Sequence, residues 1–428
     1  MIIRRIQLTN FRRFAEAALD FQTGFNLFIG ENGSGKTTIL DALAVGTASW
    51  FLGVRGYDTK HVEPDEVRAV LRTHGETSTL ERQFPVAVFC QGEVLGKEIS
   101  WERSISGAGG RTTQTDAKSI KNLASDAEKR VRNGEEITLP VISYYGTKRL
   151  WVQPKDMQTN EDVQPGEFDE RLQAYRFSID QRINIASVLR WLRLEKFVAL
   201  EEGKERLAFQ AVKEAIARCI EGCVKVDYSV KEGALLLHFK KMPTLPFHLL
   251  SDGQRTMVAM VADLALKACQ LNPHLGADAP KKSPGVVLID ELDLHLHPRW
   301  QRHVVKDLRE AFQSIQFFAT THSPQIIGET PHEEIFLLTT DGAIEKPSQS
   351  VGLSSNQILK DLMGAEAINE NMLAAFNRVF DLIEAGGFDE ARQQIAGLRQ
   401  GGQDYPELAE ADSYMEAVES AAKEEGEA

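Results

Sequence analysis

The chain has 428 residues and a formal net charge of −13 at pH 7, with 42% hydrophobic and 26% charged residues. That balance excludes wholesale disorder, and no apolar run approaches the roughly 18 residues of a membrane-crossing helix. Four cysteines (Cys90, Cys219, Cys223, Cys269) are too few for a disulfide framework, and Met1 to Asn10 lacks a signal-peptide core, so a cytoplasmic setting is expected.

In chain order, the alternation around Ile6 and Leu8 predicts a strand, and the apolar run Phe25 to Ile29 predicts a buried one. Lys36 to Trp50 reads as a helix with Ile39, Leu40, Leu43 and Ala44 on one side. Residues 78–104 predict a hairpin, with arms at Val86 to Cys90 and Glu98 to Arg103 and a turn region at Gly92 to Gly96. Ala108 to Thr115 reads as a loop, Lys118 to Asn133 as a charged helix and Leu139 to Tyr145 as a strand. Pro154 and Pro165 mark a polar loop over 152–167, after which helical spacing returns (Ile185, Val188, Leu189, Leu192, then Leu207, Val212, Ala215, Ile216). Strands are expected at Val224 to Tyr228, Ala234 to Phe239, Gly285 to Asp290 and Gln316 to Thr321, with helices from Gln254 and after Pro298. Beyond about residue 350 the pattern is helical, with Gly386-Gly387 separating two helices and no heptad tract long enough for an extended coiled coil.

Gly30-Glu31-Asn32-Gly33-Ser34-Gly35-Lys36-Thr37 fits G-x-x-x-x-G-K-[ST] and lies between an apolar strand and a helix. Such glycines let backbone N–H groups turn inward around phosphate oxygens at a helix N-terminus. Gly30, Asn32, Gly33, Ser34, Gly35, Lys36, Thr37 and Thr38 are therefore expected to bind ATP, with Lys36 on the β- and γ-phosphates and Thr37 on Mg²⁺. In GVVLIDE, four apolar residues bring Asp290 to the end of a buried strand as a second Mg²⁺ group, and Glu291 stands beside it to polarise the attacking water.

A third segment, Leu250-Ser251-Asp252-Gly253-Gln254-Arg255, resembles the LSGGQ signature of ABC-type ATPases, with Asp252 in place of a glycine; Ser251 is also a good helix N-cap in its own right. Asp293 to Pro298 (DLHLHP) is similar to the D-loop of that superfamily, and Thr320-Thr321-His322-Ser323-Pro324 to its switch histidine. Asn10-Phe11-Arg12-Arg13-Phe14, the ELDLHLHP run and THSP look RecF-like or OLD-like. Ser143 to Trp151, the helical segment from Arg171, Leu353 to Met363 and Phe388-Asp389-Glu390-Ala391 look like the small anti-phage ATPases of Septu and retron-associated systems.

The resemblance implies an α/β ABC-type P-loop head, with an N-terminal β-rich lobe, a central sheet and a helical lid. It also implies a head-to-tail dimer in which Ser251 and Gly253 close over the partner's ATP, Arg12 or Arg13 touches nucleotide, and His322 senses the γ-phosphate. The expected boundaries are 1–154 for the N-terminal lobe, 155–222 for the lid, 223–345 for the signature-to-switch part, and 346–428 for a helical C-terminal region. The Q-loop role falls to no residue: Gln153 comes late and Gln91 is a weaker candidate. The C-terminal region lacks a D-x-D after an apolar strand, so a nuclease is expected as a separate effector partner. A RecF-like ATPase acting on DNA or RNA is the alternative.

Simpler readings stand beside these. His295 and His297, with His303 downstream, could suggest a metal site, but the first two belong with the D-loop, and Cys219 and Cys223 read as structural thiols. Lys148, Arg149, Arg171 and Arg176 either line a nucleic-acid groove or serve as solvated or nucleotide-facing cations. The stripe of Phe376, Val379, Phe380, Ile383, Ala391, Ile395 and Leu398 either packs helix on helix or docks a partner. Residues 401–428 hold nine acids against Lys423 alone, so −8 of the charge sits in that tail and the rest of the chain carries only −5. Global acidity therefore says little against nucleic acid at the head.

Overall fold

The computed structural model describes residues 1–74, 77–149, 170–365, 370–399 and 405–426. The chain divides into two compact units, Met1–Ile358 and Leu359–Ala428. The first extends past the expected boundary at 345 because Ile358 is buried against Gly328.

Strands β1 (Ile2–Phe11) and β2 (Phe14–Asp20) form a hairpin, and β3 (Phe25–Gly30) follows, buried along its whole length. Helix α1 (Lys36–Thr47) then leads into a short 3₁₀ turn. Strands β4 (Ala69–His74) and β5 (Thr77–Arg82) pair only with each other, whereas β6 (Val86–Val94) and β7 (Lys97–Ile105) complete a four-stranded sheet of order β2-β1-β6-β7. The β6–β7 turn is tighter than its glycines suggest: pairing continues to Val94↔Lys97, so Gly92 lies inside the strand.

Helix α2 (Lys118–Arg132), β8 (Val141–Tyr145), α3 (Ile185–Glu202) and α4 (Leu207–Cys219) come next. A small sheet of order β11-β10-β9 follows, made of β9 (Cys223–Ser229), β10 (Ala234–Phe239) and β11 (Leu245–Pro246). After it run α5 (Asp252–Leu271), α6 (Ala279–Lys282), β12 (Gly285–Ile289), α7 (Pro298–Gln301), α8 (Val304–Ala311) and β13 (Ile315–Thr320). The unit finishes with α9 (Pro324–Gly328), β14 (Ile335–Leu338), β15 (Ile344–Glu345) and the start of α10 (Ser355–Met363).

The central sheet has the order β15-β14-β3-β13-β12-β8, and all its pairings are parallel except β14–β15. Helix α1 lies between this sheet and the four-stranded one, touching β12 and β13 on one side and β6 and β7 on the other. That position explains why α1 is buried nearly all round: a helix covered on both faces has no solvent side. Strands β14 and β15 carry no sequence expectation, because a four-residue apolar run and a two-residue edge are too short to show a period.

In the second unit, α11 (Glu370–Glu384), α12 (Phe388–Arg399) and α13 (Pro406–Gly426) share a core of Phe376, Val379, Ile383, Ala391, Ile395 and Leu408. The apolar stripe therefore packs helix on helix, with α13 supplying the third side.

Asp307 in α8 gives a stability prediction. Burial pushes its carboxyl up to about 6, against the pull of His303 and Lys306. The folded chain thus holds this proton more tightly than the unfolded chain. The contribution is full below pH ~4 and is lost as pH rises through about 6. Asp307→Asn should raise the stability at pH 8 by about 1 kcal/mol after allowance for solvent screening, and so the melting temperature there, and change little at pH 4. Thermal melts at the two pH values check this.

Candidate nucleotide site

The order β3-β13-β12 sets the site. These three neighbours are parallel, so their carboxyl ends open on the same edge, where ligands of α/β sheets commonly bind. The glycine loop follows β3, His322 follows β13, and Asp290 and Glu291 follow β12.

At the loop, Lys36 is buried and its Nζ donates to the Gly30 and Glu31 carbonyls, each at 2.8 Å. Burial pushes its ammonium below the ordinary lysine range, opposed by Asp290, Glu291 and Asp293. Gly35 has φ +105°, and a Cβ there would lie 2.8 Å from the Arg13 side chain. Arg13 itself donates to the carbonyls of Gly33 and Thr340, bracing the loop from outside. Arg12 turns the other way, pairing with Asp41 at 2.8 Å and Glu66 at 3.3 Å. Asp41 also accepts from the Tyr144 hydroxyl at 3.1 Å, and Lys60 pairs with Glu66 at 3.1 Å. Of the two arginines, Arg13 is the one in contact with the loop, and Arg12 is engaged in a charge network with α1.

On the acidic strand, Asp290 is joined to Thr37 across 3.2–3.3 Å and accepts from Thr320 Oγ1 at 2.6 Å. The same Thr320 hydroxyl accepts the Glu291 N–H at 2.7 Å, which holds Glu291 at φ +49°, an uncommon conformation for a residue with a side chain. Asp293 accepts from Thr321 Oγ1 at 2.5 Å and from the His322 N–H at 3.2 Å, tying the D-loop to the switch segment. Burial pushes the His322 imidazole below its ordinary value, and Lys36 adds to the effect, so the ring is neutral at pH 7.

Arg149 departs from the sequence reading. It is buried, and its guanidinium donates to the Asp290 carbonyl at 2.6 Å and the Glu291 carbonyl at 2.9 Å. Burial lowers its pKa to about 10, with Asp290, Asp293 and Glu291 opposing. Arg171 likewise spends its donors on backbone, at Leu271 O (2.7 Å) and Ile137 O (2.6 Å). Both are committed to backbone carbonyls within the fold. Of the other two basic candidates, Lys148 is exposed and Arg176 stacks on Phe177 at 5.2 Å. No spacing signal marks Arg149 or Thr320, since their partners come from distant strands.

At the signature segment, Ser251 is the exposed N-cap of α5. It accepts from Gln254 N at 3.3 Å, while Gln254 Oε1 accepts from Ser251 N at 3.0 Å, forming a reciprocal capping box. Asp252 pairs with Arg255. Gly253 packs on the His295 carbonyl so closely that any Cβ would collide with it, so α5 and the D-loop approach each other because this residue is glycine.

Two features fit a nucleotide and a divalent cation. Ser34 Oγ is fully buried in the loop and has no hydrogen-bond partner there. Thr37 and Asp290 offer a hydroxyl and a carboxylate side by side, an all-oxygen set suited to Mg²⁺. Asn32 and Gly33 are exposed at the loop tip, and Thr38 is buried behind it. Among the described residues no other cluster of His, Cys, Asp or Glu suits a metal. Cys219 and Cys223 instead donate to the carbonyls of Asp307 (3.7 Å) and Lys225 (3.5 Å). Gln91 lies within β6, opposite Ser100, while Leu150, Trp151, Gln153, Pro154 and Pro165 lie outside the described residues. No helix among the described residues is long and apolar enough to cross a membrane.

A family described as "AAA domain, putative AbiEii toxin, Type IV TA system" matches residues 25–328, and one described as "AAA ATPase domain" matches residues 1–48. The chain is 24% identical over 420 residues to the retron Ec83 probable ATPase of Escherichia coli, covering 83% of this chain and 75% of that protein. It is 21% identical over 449 residues to the retron Vc95 probable ATPase of Vibrio cholerae, covering 90% and 84%. It is also 21% identical over 389 residues to the Septu protein PtuA of Bacillus thuringiensis, covering 87% and 86%. With a family match running from β3 to the end of α9, through the glycine loop, the signature segment, the acidic strand and His322, the chain belongs to this AAA-domain family and is an ABC-type ATPase related to those of bacterial defence systems.

Proposed function

We propose that the protein is an ATP-hydrolysing switch in anti-phage defence, whose ATP-dependent head-to-tail dimerisation holds and releases a separate effector nuclease. The observation that carries this reading is the exposed Ser251 cap of α5, which adjoins the D-loop through Gly253 and is left free to meet a second copy. The relatives named for retron and Septu systems support the defence setting.

In this reading Gly30, Asn32, Gly33, Ser34, Gly35 and Thr38 line the phosphate loop, Lys36 binds the β- and γ-phosphates, and Arg13 braces the loop. Thr37 and Asp290 hold Mg²⁺, which when bound neutralises charge developing on the phosphates. Glu291 takes the proton of the attacking water, and His322, neutral at pH 7, reads whether the γ-phosphate is present. Ser251 and Gly253 of one copy close over the loop of the other.

Native mass spectrometry of the protein expressed with its neighbouring genes, with and without ATP, tests the switch. A dimer that forms with ATP and changes the activity of a bound partner is expected. An oligomeric state indifferent to ATP, with no partner responding, would sink the proposal. Salt-sensitive, ATP-dependent DNA binding by the isolated protein would point instead to a DNA clamp. Lys36→Ala should weaken ATP binding roughly 10- to 100-fold, the worth of one charge-assisted contact, measured by titration calorimetry.

A further inference from the structure

The β lobe contains a cavity of about 590 Å³ that none of the nucleotide-site residues lines. Its volume is in the range of ordinary small-molecule sites. One wall is apolar, formed by Val62, Pro64, Val67, Phe84 and Ile105, and the rest includes His61, Arg82, Arg111 and the glycine-rich turn 107–110. No carboxylate lines it. Arg82 and Arg111 make no ion pair with any described residue.

Behind this wall lies Arg103, which is fully buried. Its guanidinium meets only neutral acceptors: Thr113 O at 2.9 Å, Thr59 Oγ1 at 3.1 Å and His61 Nδ1 at 3.4 Å. A buried charge without a counter-charge is costly, and burial alone draws this arginine down to about 10. Arginine has no acceptor, so His61 Nδ1 must accept and the ring proton sits on Nε2. His61 is exposed and lines the cavity that Arg82 and Arg111 also line, so a ring N–H and two guanidinium groups serve one cavity, with Arg103 adding positive charge through its contact with His61.

We propose that this cavity is a second ligand site, for a free nucleoside monophosphate: Arg82, Arg111 and His61 take the phosphate, and the base packs on Val62, Phe84 and Ile105. Charge and apolar surface are both required by this geometry, so neither inorganic phosphate nor an uncharged nucleoside satisfies it alone. The inference goes beyond the switch proposed above and stands or falls separately from it, because binding here needs neither hydrolysis nor dimerisation.

The test uses the full-length chain carrying Lys36→Ala, which weakens the phosphate loop as a competing site. AMP, GMP, CMP and UMP are titrated by calorimetry, with the four matching nucleosides and inorganic phosphate as partial ligands. Saturable binding of at least one monophosphate is expected, with at least about tenfold weaker binding when its phosphate is removed. The double change Arg82→Glu and Arg111→Glu should weaken it by at least about tenfold, the loss of one or more charge-assisted contacts. The single charge reversal Arg72→Glu, on the exposed β4 strand outside the cavity lining, should leave it unaltered. Both substituted positions are exposed, so melting curves should match the parent and a loss of binding is not a loss of fold. Hydrogen exchange should slow over 105–114 when the ligand is added. Absence of saturable binding with all four monophosphates overturns the proposal, and so does affinity that survives the double change.

Discussion

Glu291→Gln will lower the ATP turnover rate by about 10²- to 10⁴-fold, the usual worth of a general base, while ATP affinity stays near that of the parent. The amide matches the carboxylate in shape but cannot take up the proton of the attacking water. The backbone at this position is held independently of the side chain, since Thr320 Oγ1 accepts the Glu291 N–H at 2.7 Å. The positive φ of Glu291 is therefore retained in the variant, and the phosphate loop is unaffected. If closing precedes hydrolysis, the variant will accumulate as an ATP-bound dimer. Phosphate release gives the turnover, calorimetry the affinity, and native mass spectrometry the dimer. Normal turnover in this variant would remove Glu291 from the role of base.

Arg149→Leu has the second largest expected effect, and the sequence reading does not anticipate it. The guanidinium holds the carbonyls of Asp290 and Glu291 at 2.6 and 2.9 Å, so it fixes the turn that aims both carboxylates. Loss of two hydrogen bonds from a charged donor should destabilise the fold by roughly 3 kcal/mol; the buried Asp290 carbonyl loses its guanidinium donor, whereas the Glu291 carbonyl keeps the Leu294 N–H at 2.9 Å. Displacing the acidic pair by as little as about 1 Å should cost roughly 100-fold in kcat. ATP affinity should change far less, because Lys36 and the glycine loop are carried by a different strand. Arg149→Lys should be intermediate: an ammonium keeps the charge but cannot fork between two carbonyls. The split between kcat and affinity, with faster hydrogen exchange at the Glu291 and Leu292 amides, distinguishes positioning from general damage. Wild-type kcat in Arg149→Leu would end the positioning role.

The two variants mark the limit of sequence reading here. Glu291 is legible because its placement follows a local pattern: four apolar residues deliver an acidic pair to the end of a strand. Arg149 is not, because its partner carbonyls lie 141 and 142 residues away and a backbone carbonyl has no sequence identity. The same holds for Arg171, whose acceptors at Ile137 and Leu271 come from two separate segments. Arg12 and Arg13 are adjacent in sequence yet face different partners, one the Asp41–Glu66 network and the other the phosphate loop.

What the sequence alone determined was the set of elements and chemical groups whose signals are periodic or contiguous: the apolar strands, the amphipathic C-terminal helices, the glycine loop, the acidic pair and the histidine that follows β13. Only the tertiary structure decided which strands are neighbours, and so which of these groups meet. Strand β13 between β3 and β12 places Lys36, Asp290, Glu291 and His322 on one edge, and β14 adds a parallel neighbour that no periodicity foretold. It also decided which cations are spent internally and which remain for ligands. A charged side chain is committed by whatever acceptors the fold brings within hydrogen-bond reach, and that is set by long-range packing rather than by its sequence neighbours.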